Sequence, residues 1–75
     1  MNRERIAFSA NVWSVGYDDV TEVLEVEFHN GGVYQYLGVP RSVYTLLLAA
    51  PSKGRFLHEC VKGNYNYRKV QERVA

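Results

Sequence analysis

The sequence predicts an α+β domain in which a three-stranded antiparallel sheet is followed by two helices packed on one face. Three observations carry this. Residues 11–17 and 23–29 alternate with the period of two expected of half-buried strands. Asn30-Gly31-Gly32 then marks a hairpin turn before residues 33–37, because Asn and Gly tolerate positive φ. After Pro40 the period becomes helical, with Val43, Leu46, Leu47 and Ala50 on one stripe.

In the first strand Trp13, Val15 and Tyr17 share a face, and Val12, Ser14 and Gly16 the other. Asp18-Asp19 make a turn, their short carboxylates satisfying local backbone donors. In the second strand Leu24, Val26 and Phe28 oppose Glu25, Glu27 and His29, so one face is buried and one is wet. The hairpin has two possible registers. A two-residue Asn30-Gly31 turn sets Phe28 opposite Val33 and turns Tyr34 and Tyr36 to the glutamate side. A three-residue loop ending in Gly32 sets Phe28 opposite Tyr34, and both tyrosines join the core face. One residue of slip exchanges the faces. The second register is preferred, since it leaves Gln35 outside beside Glu25 and Glu27.

Pro40 suits a first helical turn, where its missing N–H is not needed. Tyr44 and Leu48 widen the apolar stripe, and Pro51 stops the helix. Ser52 can cap a second helix, whose apolar side is Phe56, Leu57, Cys60 and Val61 and whose natural end is Gly63. Residues 65–67 read as extended. Residues 68–75 have the option of a short terminal helix with Arg68 and Glu72 paired at i, i+4, although eight residues form a marginal helix alone.

Seventy-five residues make a single domain near the lower size at which a core stands without staples. The 13% aromatic share helps, because large rings bury more area per residue. No apolar run approaches the roughly 18 residues of a membrane span, and Met-Asn-Arg-Glu-Arg leads into no signal-like segment. A single cysteine excludes an internal disulfide, so a cytoplasmic protein is expected. The net charge of +1 divides unevenly. Residues 1–39 carry Arg3 and Arg5 against six carboxylates, a balance of −4. Residues 40–75 carry seven cations against Glu59 and Glu72, a balance of +5. Either the domain is dipolar, with a basic half open to a polyanion, or the two sets interleave in space and cancel.

Several motifs together resemble a known small family. They are Val15-Gly16-Tyr17-Asp18, Leu24-x-Val26-x-Phe28-x-x-Gly31, Tyr34-x-Tyr36, Val39-Pro40 and Ser52-Lys53-Gly54. In order and spacing they resemble the KTSC domain, named for its occurrence at the C-terminus of some lysyl-tRNA synthetases. The resemblance runs from about residue 11 to 67 and leaves 1–10 and 68–75 peripheral; the chain looks like the free-standing form. It implies RNA binding as a candidate role and brings no catalytic residues.

Two clusters carry candidate chemistry. Ser52-Lys53-Gly54-Arg55 combines a helix start, a small residue and two cations, as an anion site would, although Ser52 acting only as a cap explains it too. Lys62, Tyr65, Tyr67, Arg68 and Lys69 interleave cations with rings, which suits a single strand whose phosphates are neutralised and whose bases stack. Arg41 adds charge on the first helix. Tyr34 and Tyr36 form a stacking platform only in the register that exposes them. His58 and Cys60 lie two apart on a helix and have no second pair, so no metal site is expected. No nucleophile has a recognisable partner, and neither an enzyme nor a cofactor is expected. The favoured function is therefore nucleic-acid binding, RNA above all, through the basic half. The alternative is a protein-interaction module, with self-association as one form of it, which uses Val12, Val23, Val33 and Leu37 on the uncovered face of the sheet.

Overall fold

The computed structural model describes residues 3–7 and 9–72, with a sheet of five strands rather than three. The strands are β1 (Glu4–Arg5), β2 (Val12–Asp18), β3 (Val23–Phe28), β4 (Gly32–Tyr36) and β5 (Tyr67–Glu72), all antiparallel and in sequential order. Helix α1 (Arg41–Ala49) and α2 (Lys53–Phe56), which continues as a π-helical turn over Leu57–Val61, lie between β4 and β5 in the chain.

The two additional strands have different origins. β1 is a two-residue polar segment beside β2, with no apolar alternation to announce it. β5 replaces the terminal helix expected from residue 68. Without β5 the outer N–H and C=O groups of β4 would stay unpaired, whereas a short isolated helix closes few bonds of its own. Residues 73–75 of that expected helix lie outside the described residues.

The β3–β4 pairing sets Val26 opposite Tyr34 and Leu24 opposite Tyr36. The turn is the three-residue loop His29-Asn30-Gly31, displaced by two residues from the preferred register. Gly31 takes φ 94° and donates its N–H to the Phe28 carbonyl, and Gly32 N–H is held by Asn30 Oδ1 at 2.9 Å. A two-residue displacement preserves the faces. Tyr34 and Tyr36 are thus on the core side, as preferred, and Gln35 faces out, where its amide donates to Glu25 Oε1 at 2.9 Å.

The helices close over the Leu24–Val26 face, where Val12, Val15, Tyr36, Val39, Leu47, Leu57 and Val61 complete a buried core. Tyr17 fixes the entry to α1 by donating its hydroxyl to the Val39 carbonyl at 2.6 Å and stacking on Tyr44. Two expectations fail here. A register shift between Val12 and Ser14 turns Val12 into the core, opposite Phe28, and Val33 is buried at 1% exposure, so the outer apolar patch does not form. Cys60, expected in the core, is exposed. The wider turn, in which Lys62 N–H donates to the Leu57 carbonyl, places Leu57 and Val61 inward instead. Among the described residues no helix is long and apolar enough to cross a membrane.

Candidate functional site

The two halves of the charge pattern interleave in part, and this sorts the candidate cations. Arg41, at the N-terminal end of α1, is paired with Asp19 on the β2–β3 turn. Arg55 is paired with Glu59 one turn along, which holds the Glu59 carboxyl below the usual carboxylate range. Lys53 donates to the Ala50 carbonyl at 2.6 Å, and Ser52 Oγ accepts from Arg55 N–H at 3.3 Å as a cap. Gly54 lies beside the exposed Asn11 side chain: a Cβ there would stand 3.1 Å from Asn11 Nδ2. The segment 52–55 is therefore a capped helix start whose groups already have partners. Arg41 belongs to the other end of α1, about 12 Å of helix axis away.

Lys62 differs. It has no carboxylate partner among the described residues, and its Nζ lies 5.3 Å from the centre of the Phe28 ring. Two cavities meet at this point. The larger, about 460 Å³, is lined by Ala10, Asn11, Phe28, His29, Asn30, Tyr34, Gly54 and Lys62. The smaller, about 290 Å³, is lined by Phe28, Tyr34, Tyr36, Lys62 and Tyr67. Phe28, Tyr34 and Lys62 belong to both, so the two form one groove along the edge of the helix-covered face. No described Asp or Glu lines either cavity.

The strand pattern explains the rings. Phe28, Tyr34, Tyr36 and Tyr67 all project from the core side, and the edge-to-face contacts Phe28–Tyr34 and Tyr34–Tyr67 have centroid separations of 5.7 and 5.9 Å. Tyr36 is buried beneath them, and burial raises its hydroxyl pKa above the ordinary tyrosine value, with Tyr34 and Tyr67 adding to the rise. Tyr67 is 64% exposed and forms the open rim. Lys69 is opposite Tyr34 in register, on the same side. Arg68 is on the other face, where its Nε donates to Gln35 Oε1. Tyr65 is half-buried against the core.

Of the candidate residues, Gly54, Lys62 and Tyr67 thus line the groove, with Lys69 in register beside it. Ser52 and Lys53 line a neighbouring cavity of about 300 Å³ that shares Ala10, Asn11 and Gly54 with the larger one, and Arg41, Arg55, Tyr65 and Arg68 stand apart from the groove. Phe28, Asn11, His29 and Asn30 are not among the candidate site residues, because Phe28 and Asn30 read as strand and turn signals and nothing local places Asn11 or His29 beside Lys62. An aromatic groove whose described lining holds one ammonium and no carboxylate suits a planar ring joined to an anion. Among the described residues no group of His, Cys, Asp and Glu is placed to hold a metal.

Comparison with known proteins agrees with the motifs. Residues 8–65 match the family model of the KTSC domain. The chain belongs to the KTSC domain family. It is 41% identical over 54 residues to a lysine–tRNA ligase of Trichormus variabilis, covering 72% of this chain and 10% of the ligase. An uncharacterised protein of Stutzerimonas stutzeri is 39% identical over 89% of this chain and 97% of its own length. The KTSC fold is thus found both as a small part of a ligase and as a small protein. The crystal structure of a KTSC domain protein from Yersinia pestis superposes with a TM-score of 0.88 at 39% identity, covering 92% of this chain and 96% of that one.

Proposed function

We propose that this KTSC domain is a binding module for single-stranded nucleic acid, RNA in particular, and that the groove around Lys62 is where it binds. The observation that most supports this is Lys62 itself, an ammonium without a carboxylate partner among the described residues, set where two cavities that share the Phe28 and Tyr34 rings meet. A phosphate would sit on Lys62 while bases stack on rings such as Tyr67, an arrangement that tolerates any sequence. Lysine–tRNA ligases, which by name act on a tRNA, carry a related segment and so point the same way. The role is binding without catalysis, in the cytoplasm.

Titration of the labelled domain with short single-stranded RNA, followed by amide shifts in NMR, tests this. Shifts at Tyr34, Lys62 and Tyr67 that shrink with added salt are expected. Lys62→Glu should weaken binding and flatten the salt dependence by about 0.7 in log–log slope. Arg41→Glu, at the other end of the domain, should leave affinity nearly unchanged. Absence of shifts at low salt, or full affinity in Lys62→Glu, would overturn the proposal. A protein partner is the second reading, favoured by one observation: among the described residues β5 is an edge strand, paired with β4, and offers its other edge for strand addition.

A further inference from the structure

The two cavities differ in chemistry. The smaller is walled by rings, with Tyr67 exposed, and offers a stacking surface that any base satisfies. The larger carries amides: Asn11 and Asn30 line it, with His29 beside them. Asn30 spends its carbonyl oxygen on Gly32 N–H. The Asn11 side chain is exposed beside Gly54, and its amide has no hydrogen-bond partner among the described residues and presents a donor and an acceptor side by side.

We propose that the groove takes two successive nucleotides of a single strand, the one in the larger cavity being adenosine. This rests on the RNA-binding reading above and specifies what the site selects. Asn pairs bidentately with the adjacent N6 donor and N7 acceptor of adenine, whereas guanine is matched by Arg or Lys and cytosine by a carboxylate. The larger cavity holds no Arg, Asp or Glu among its described lining residues, and its one cation, Lys62, stands on the boundary with the smaller cavity, where the linking phosphate falls. Unstacked bases of single strands present these edges freely.

Fluorescence anisotropy with labelled oligoadenylate, oligouridylate and oligocytidylate of equal length, at one salt concentration, tests this. The wild-type domain should bind oligoadenylate about tenfold more tightly than the other two. Asn11→Ala should bring the three affinities together, whereas Asn11→Asp, a carboxylate, should move the preference to oligocytidylate. Tyr67→Ala should weaken all three by a similar factor, about tenfold, and keep the preference. Equal wild-type affinities, or a preference that survives both Asn11 variants, would overturn the adenine pocket while leaving RNA binding intact. Failure of all three oligonucleotides to bind would overturn RNA binding itself, and the pocket with it.

Discussion

The outer face of the sheet and the helix-side face are built by the same alternation, and they end in opposite conditions. Outside, a polar chain crosses from β2 to β5. Ser14 donates to Glu27, Arg3 joins Glu27 to Glu25, Gln35 donates to Glu25, and Arg68 donates to Gln35. Each of these described groups is engaged with the next across the strands. On the helix side the core closes fully around Leu24 and Val26, yet near β5 the helices fall short. Rings that would belong to a core in a larger domain are left as the wall of a groove. The difference shows that a binding surface on so small a protein need not be an added feature; it can be the part of the buried face that two short helices do not reach.

The largest effect is expected where the helix side is closed. Leu24 is fully buried at the centre of the sheet, and Leu24→Ala should cost about 2–5 kcal/mol from lost transfer energy and the cavity left behind. Thermal melts should show it, at about 4–8 °C per kcal/mol for a domain of this size. A loss below that of the outer-face variants would mean that the helices do not carry the fold as described.

On the outer face Glu27 is 6% exposed and holds both Ser14 and Arg3. Glu27→Ala should therefore cost about 1–3 kcal/mol, the penalty for leaving buried polar partners unpaired. Glu27→Gln, which keeps an acceptor for Ser14, should lose less. Equal losses in the two variants would show that the Arg3 contact, not the Ser14 hydrogen bond, is what Glu27 contributes. Neither variant should alter RNA affinity beyond what unfolding removes, since the groove is on the other side of the sheet.

How much of this was legible in the sequence follows from which signals are local. The central strands, the Pro40 entry to α1 and the Ser52 cap are written in neighbouring residues, and each appears where expected. β5 was not legible, because Arg68-Lys69-Val70 becomes a strand only through pairing with β4. The shift that carries Val12 inward and the π-turn that carries Cys60 outward each insert about one residue into a regular period, which breaks any face assignment that extrapolates through them. In the candidate site, Lys62 and Tyr67 were visible as a cation among rings. Their separation from Arg68 was not, because adjacent strand residues project from opposite faces and the strand itself was unseen.

Gly54 provides the smallest and most selective test of the comparison. Its φ is not in the left-handed region, and it lies in a short helix, where alanine is favoured over glycine by up to about 1 kcal/mol. Against this, the new Cβ would stand 3.1 Å from Asn11 Nδ2, closer than side chains normally approach. The contact is with the end of an exposed side chain, which can swing away, so Gly54→Ala should leave the melting temperature unchanged or slightly raised. The displaced amide would no longer face the larger cavity. Oligoadenylate should then lose its advantage over oligouridylate while binding through Lys62 and Tyr67 persists. An unchanged preference would show that the Asn11 amide is not what reads the base. A marked loss of stability would show instead that Asn11 is fixed by packing and that the groove is as rigid as the outer face.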